Sequence, residues 1–332
     1  MTDVKCTLAA ITEEFNKKHI LVIGDLMVDR YINGKFRKIS QEAPIPVFNY
    51  VDEHLVPGGA GNVVNNLMGL GAKVSVSGVL SYDTAGKWLL EELSSKTAST
   101  EGIVVDINRQ TTMKTRYITK GYQLFRVDKE DTDEISEQAR NDIFEYCKKV
   151  IGDVDAVILS DYQKGVLKNE EFVKRIIRLC VDNNVFVAAD TKTDNIQAFK
   201  DVDILTPNLD ELANAVKMSI GSKEDIDKAG WEYLNMSGAK TLVLTRGEEG
   251  ISVFAKDKSR EDFPPKGLEV IDVSGAGDTV ISTVTMGLIS GMSLEDSVKL
   301  ANIAAGVVII KRGTVAICQK ELIESVDEGK DC

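Results

Sequence analysis

Asp272-Val273-Ser274-Gly275-Ala276-Gly277-Asp278-Thr279 sets a carboxylate at the end of a glycine-rich loop that runs into an apolar helical stretch. Gly275 and Gly277 lack Cβ atoms, so this loop can take positive φ and bring its amides against an anion. The positive end of the following helix dipole adds to that attraction. A carboxylate beside an anion cradle is out of place unless it handles a proton while charge builds on a transferring group. That pairing points to phosphoryl transfer with Asp278 as the base. For the octapeptide alone, a glycine-rich turn with Asp278 as helix N-cap fits equally well.

Three further segments carry chemistry. Pro57-Gly58-Gly59-Ala60-Gly61-Asn62 is a second glycine-rich loop ahead of a helix, where Asn62 can exchange hydrogen bonds with sugar hydroxyls or serve as a cap. Gly24-Asp25-Leu26-Met27-Val28-Asp29 ends the first strand with two acids, at the strand end where open α/β sheets bind ligands; capping acids in a turn are the competing account. Asn208 and Glu211 stand three apart on the first turn of a helix, an oxygen pair suited to water-mediated Mg²⁺ near nucleotide phosphates or to capping. Neither GxGxxG nor GxxxxGK[ST] occurs, which counts against dinucleotide and Walker-type sites.

Short β-branched runs alternating with helical patterns predict a mainly parallel sheet with helices on both faces. Core strands are expected at 19–24, 73–78, 156–159, 185–189, 204–206, 241–245 and 251–255. Helices are expected to start near Gly61, Thr84, Ser136, Asn169, Leu209, Ser222, Asp278 and Leu294, with an amphipathic helix over about 3–17. Two stretches, about 31–57 and 103–128, carry strand-like residues without a helix. They include Lys35, Arg37, Lys38, Lys114, Arg116, Lys120 and Arg126. Such basic β segments in an acidic chain read as a charged sheet edge or as a lid that grips an anion. No repeat or linker divides the chain, so residues 1–332 are expected to form one domain.

The 332 residues are 43% hydrophobic and 28% charged, enough to bury a large core. A net charge of −12 opposes nucleic-acid binding. The longest apolar runs fall short of the roughly 20 residues of a membrane span, and no secretory signal is visible. Five scattered cysteines without CxxC spacing argue against a disulfide framework or zinc site and fit a reducing cytoplasm. Two histidines make a Ser-His-Asp triad improbable.

Taken in order, the early GG motif with Asn62, the NxxE pair Asn208 and Glu211, and the GAGD loop ending in Asp278 resemble the ribokinase or PfkB family of carbohydrate kinases over essentially the whole chain. Within the family, Gly24 to Tyr31, Ile39 to Val47, Leu159 to Gly165 and Asn302 to Val308 are most similar to the branch that phosphorylates D-glycero-β-D-manno-heptose 7-phosphate. Gln41 and Gly61 depart from the Pro and Ala usual there. The resemblance implies a ribokinase-like three-layer α/β/α sandwich with a small β lid. It implies sugar contacts from Asp29, Gly58, Gly59 and Asn62, and a sugar-phosphate clamp from Lys38, Lys114, Arg116 and Arg126. ATP would meet Asn208, Thr245, Gly247, Ser274, Gly275, Gly277, Asn302 and Lys192, with Mg²⁺ near Asn208 and Glu211. Asp161, Lys164 and Asp190 share the strand ends without assigned roles.

Asp278 would take the proton of the anomeric hydroxyl, and the amides of Ser274 to Gly277, Ala276 included, would hold the transferring group. Asp272 and Ser274 match the family's monovalent-cation segment, which leaves a K⁺ requirement open. Lid strands that often pair across a two-fold axis in this family imply a homodimer. With no HxGH motif, the chain is expected to act as a separate kinase rather than carry the nucleotidylyltransferase of a bifunctional protein. A kinase for another sugar, a noncatalytic sugar sensor and an NAD-dependent oxidoreductase are the alternatives. The first covers ribose, fructose 1-phosphate or a ketodeoxy acid, and the basic lid speaks only against its unphosphorylated substrates; the intact loops speak against the second and the missing fingerprint against the third.

Overall fold

The computed structural model describes residues 12–96, 98–192, 195–256, 260–265 and 270–328. Strand β1 (His19–Gly24) passes almost directly into β2 (Leu26–Ile39) and β3 (Pro46–Gly59), followed by α1 (Ala60–Gly69), β4 (Lys73–Leu80), α2 (Thr84–Ser95) and β5 (Ser99–Val105). Next come β6 (Thr112–Thr119), β7 (Tyr122–Lys129), α3 (Glu137–Val150), β8 (Ala156–Asp161), α4 (Glu170–Asp182), β9 (Phe186–Thr191) and β10 (Ile204–Leu205). The chain ends through α5 (Leu209–Val216), α6 (Lys223–Ser237), β11 (Thr241–Thr245), β12 (Ile251–Ala255), β13 (Glu261–Phe263), α7 (Ala276–Ile289), α8 (Leu294–Ile309) and α9 (Gln319–Glu328).

Nine strands form one sheet in the order β13-β12-β11-β10-β9-β8-β1-β4-β5, parallel except at β12 and β13. Every residue of β1 is buried. Ile20 and Val22 pack into the layer that holds Val64 of α1, Ile281 of α7 and Ala301 of α8, whereas Leu21 and Ile23 pack into the layer with Ile143 of α3, Ile176 of α4 and Tyr233 of α6. A strand buried on both faces favours apolar side chains, which explains the Ile20–Ile23 run, while the buried His19 at its start is hydrogen-bonded through its ring to the Asp153 carbonyl and Ser75.

The sheet changes direction of growth at β1, which pairs with β4 on one side and β8 on the other. A crevice therefore opens beyond the C-terminal ends of β1 and β8, the usual ligand position in such sheets. The second sheet, in the order β3-β2-β6-β7, rises from that end, because β2 starts two residues after β1 stops.

Both lid boundaries differ from expectation. The first two lid strands already pair at Leu26↔Gly59, and residues 103–105 belong to β5 at the edge of the main sheet, so the later lid strands span 112–129. The shift has a physical source: a β-branched run such as Ile103-Val104-Val105 has the same local preference whichever sheet it joins.

All eight expected helices form, seven of them within one residue of the expected start; α7 begins at Ala276, two residues before Asp278. The hydroxyls of Ser222 and Ser293 accept from the Asp225 and Asp296 amides at 3.2 and 3.1 Å, as their capping sequences imply. Of the expected N-terminal helix, residues 12–15 are helical, residues 16 and 17 form a turn, and residues 3–11 lie outside the described residues. Among the described residues no helix is long and apolar enough to cross a membrane.

Candidate active site

Asp278 is the third residue of α7, whose N-cap is Gly275 at φ 82°, so it lines the first turn and is not itself the cap. Its side chain is buried, and both oxygens are held. Oδ1 accepts from the Tyr162 hydroxyl at 2.6 Å, and Oδ2 accepts from Asn62 Nδ2 at 2.7 Å. Burial raises its pKa; the Tyr162 and Asn62 donors and the Lys192 charge pull it back, while Asp29 pushes it further up. A carboxylate so arranged is a stronger base than one in water.

Gly275 is dictated by this contact, because a Cβ there would lie 2.6 Å from Asn62 Nδ2. At Gly277 the added atom would have no described neighbour within 4 Å, so the mouth of the helix is open. Not every amide of the loop faces it. Ser274 N donates to Asp272 Oδ1 (2.9 Å) and Ala276 N to the Val273 carbonyl (3.2 Å), leaving the first-turn amides of Gly277 and Asp278, which no described side chain caps. Within the expected Ser274–Gly277 span, the Ser274 and Ala276 amides are thus already paired.

The residues expected to meet a sugar divide sharply. Asp29 is buried at the base of the lid, where Oδ1 accepts from Arg116 Nη1 (2.5 Å) and Oδ2 from the Thr314 hydroxyl (3.1 Å). Gly58 makes room for it, since a Cβ there would lie 2.5 Å from Asp29 Oδ2. Arg116 thus uses one of its five N–H donors to hold Asp29. Asn62, only 1% exposed, donates from its side chain to Asp278, and its backbone carbonyl accepts from Asn66 Nδ2 at 2.9 Å. Gly59 is buried at the same junction.

Lys114 is half-buried, and its pKa is lowered by burial and then by the Arg126 charge, with Lys164 adding. Arg126 stands directly across the ladder from Arg116 and pairs with Asp128 at 2.8 Å. Lys38 does not join them. It is exposed near the far end of β2, roughly 30 Å from Asp29 at the usual strand rise of about 3.3 Å per residue.

On the other side of Asp278, Lys192 Nζ reaches Glu211 Oε1 (2.9 Å), lies 4.0 Å from Asp190 and sits 4.6 Å above the Tyr162 ring. Burial disfavours its charge, but Asp190 and Glu211 outweigh that and raise its pKa. Asp190 is raised by burial, against the pull of Lys192. The Asn208–Glu211 pair forms a capping box, with Glu211 N donating to Asn208 Oδ1 and Asn208 N to Glu211 Oε2, both at 2.9 Å.

Both Glu211 oxygens are thus engaged, and the described residues contain no cluster of three His, Cys, Asp or Glu able to hold a metal. Thr245 and Asn208 lie side by side through a parallel bridge. Gly247, in the turn after β11, has no described neighbour within 4 Å of an added Cβ. Asn302 donates to the Pro264 carbonyl at 2.7 Å, tying α8 to the segment after β13.

Two of the strand-end acids organise the loop after β8. Asp25 is buried and accepts backbone N–H groups from Tyr162 (2.9 Å), Lys164 (2.9 Å) and Val166 (3.0 Å), which fixes the loop after β8. Asp161 accepts from Gln163 N (2.8 Å) and the Thr191 hydroxyl (2.8 Å) in the same turn. Tyr162, Thr314 and Tyr31 were missed as site residues. Thr314 donates from its amide to the Tyr31 hydroxyl (2.9 Å) and from its side chain to Asp29, contacts spanning more than 280 residues that no local pattern announces.

A crevice at the β1–β8 switch, an open helix N-terminus with a buried carboxylate, and a β lid define a phosphoryl-transfer enzyme of the ribokinase-like fold. Phosphofructokinase-2 from Escherichia coli in complex with substrates and products superposes with a TM-score of 0.80 at 17% identity, covering 94% of this chain and 99% of that one. Ribokinase from Arabidopsis thaliana, complexed with ribose and ATP, gives 0.74 at 17% identity over 93% and 98%. The chain belongs to the pfkB family of carbohydrate kinases, whose profile matches residues 17–321, and is thus a phosphotransferase with an alcohol group as acceptor.

Among curated relatives, the bifunctional protein HldE of Sulfurimonas denitrificans is 40% identical over 305 residues, 92% of this chain and 63% of that protein. HldE of Desulfatibacillum aliphaticivorans is 38% identical over 308 residues, 93% and 63%. The chain therefore spans 63% of the length of these two relatives and is similar to their kinase part.

Proposed function

We propose that the protein transfers the γ-phosphoryl group of ATP to the anomeric hydroxyl of D-glycero-β-D-manno-heptose 7-phosphate, giving the 1,7-bisphosphate. The observation that carries the phosphoryl transfer is Asp278, buried and held through both oxygens at an open helix N-terminus. The similarity to HldE and the shared sequence runs carry the choice of sugar.

In this reading Asp29, fixed by Arg116 and Thr314, orients a sugar hydroxyl at the base of the lid. Asp278 takes the anomeric proton as the oxygen attacks phosphorus. The Gly277 and Asp278 amides and the α7 dipole meet the equatorial oxygens, so positioning and electrostatics supply most of the acceleration. Lys192 is the cation on the nucleotide side, and the open turn at Gly247 beside Thr245 lies along the nucleotide. Mg²⁺ fits as a companion of the nucleotide phosphates rather than as a resident ion, since the described residues offer it no cage. K⁺ enters the proposal as an activator acting through the Asp272–Ser274 loop.

Lys114 and Arg126 form the clamp for the 7-phosphate, and Arg116 acts through Asp29. Arg116→Ala then raises KM about equally for a sugar and its phosphate, whereas Lys114→Ala raises it only for the phosphate. The reverse pattern in steady-state kinetics returns the clamp to Arg116. The protein is read as one cytoplasmic kinase domain with its lid. It is read as a homodimer whose exposed lid residues Phe36, Ile39, Tyr50 and Phe125 meet a second copy. A coupled ADP-release assay over sugars and sugar phosphates tests the substrate. Heptose 7-phosphate is expected to give the highest kcat/KM, and an unphosphorylated sugar in that place overturns the assignment.

A further inference from the structure

We propose that Tyr162 is a positioning residue for phosphoryl transfer, its phenol locking the rotation of the Asp278 carboxylate so that a free lone pair faces the acceptor hydroxyl. This rests on Asp278 being the base. A carboxylate oxygen has two lone pairs, and its direction is set by the torsion about Cβ–Cγ. Asn62 alone leaves that torsion a hinge at Oδ2. The Tyr162 hydroxyl at 2.6 Å on Oδ1 makes the second anchor, and the two donors come from different elements, α1 and the loop after β8.

The phenol is itself held from both ends. Its backbone N–H donates to Asp25 Oδ2 at 2.9 Å, and Asp25 fixes the same loop through the Lys164 and Val166 amides. The Lys192 ammonium lies 4.6 Å from the ring centroid and is braced by Glu211 at 2.9 Å. Tyr162 therefore joins the cation of the nucleotide side to the base of the sugar side through one rigid ring. Burial and the neighbouring Asp278 keep the phenol protonated, so it acts as a donor throughout. The titratable groups facing Asp278 are Asp29 from β2, the neutral Tyr162 phenol from the β8 end, and Asp190 and Lys192 from the β9 end.

The test is Tyr162→Phe in the full chain, which keeps the ring under Lys192 and removes only the hydroxyl. We expect kcat to fall about 10-fold, with KM for ATP and for the sugar phosphate within about 2-fold. The acid limb of the kcat/KM profile should move to higher pH by about one unit, because losing a donor to the carboxylate favours its protonated, inactive form. An unchanged kcat and acid limb, with or without a lower melting temperature, overturns the proposal. Asp278→Asn measured alongside keeps the two readings apart. Near-normal turnover there removes the base, whereas an inactive Asp278→Asn beside a wild-type-like Tyr162→Phe removes only the role of Tyr162.

Discussion

At the N-terminus of α1 the space over Gly58 and Gly59 is filled, whereas at the N-terminus of α7 it is open over Gly277. A Cβ on Gly58 would lie 2.5 Å from Asp29 Oδ2 and one on Gly59 would lie 2.5 Å from the Asp25 carbonyl, while one on Gly277 would meet nothing described within 4 Å. The first loop uses its glycines to let carboxylate and backbone pack close; the second uses one to seat Asn62 against the base and the other to leave room for a ligand. The carboxylates behind them divide in the same way. Asp25 spends its oxygens on three backbone amides of one loop, and Asp278 is held by two side chains while facing an open helix end.

The contrast can be broken at four points. Gly275→Ala has the largest expected effect among the loop substitutions: the new methyl drives Asn62 from Asp278 and the residue must keep φ 82°, so kcat should fall about 100-fold with a loss of roughly 1–3 kcal/mol in stability. Steady-state kinetics beside thermal melts check this, and unaltered kcat breaks the link between Gly275 and the base.

Asp25→Ala strips the acceptor from three amides and is expected to cost about 3 kcal/mol by urea unfolding. Its pH dependence has a definite sign. Burial first, then Asp161, push the folded-state pKa of Asp25 up to about 6, so the folded protein binds that proton more tightly than the unfolded chain. The Asp25 contribution is therefore fully present below the unfolded pKa of about 3.9 and declines as pH rises through about 6, making the wild-type-minus-variant difference larger at pH 5 than at pH 7. A difference that grows with pH contradicts it.

Gly277→Ala is the mildest. Stability should stay within about 0.5 kcal/mol while KM for ATP rises about 5-fold, because the methyl projects only into ligand space. A folding defect without a kinetic one would show that the mouth is not open.

The sheet and its helices were legible in the sequence because both rest on local signals: the period of apolar residues and side-chain caps such as Ser222, Ser293 and Asn208. Asp278 and its loop were legible for the same reason, four consecutive residues carrying the cradle and the base. Partners joined across the fold were not. Tyr162 meets Asp278 over 116 residues and Thr314 meets Asp29 over 285, and such pairings exist only once β1, β8 and α7 converge. Asn62 and Arg116 were found as polar residues of the site, yet the pairing of each with a carboxylate was not, because that contact is set by side-chain direction and not by residue type.

The central claim, that the α7 loop performs the chemistry and the α1 loop supports it, is tested most directly by Asp278→Asn. The amide keeps the size of the side chain and an oxygen to accept one of the two donors, but it cannot take a proton. Turnover of ATP with heptose 7-phosphate should fall roughly 100-fold or more while ATP affinity, measured by direct titration, stays near that of the wild type. Near-normal turnover by a folded Asp278→Asn protein would contradict the account.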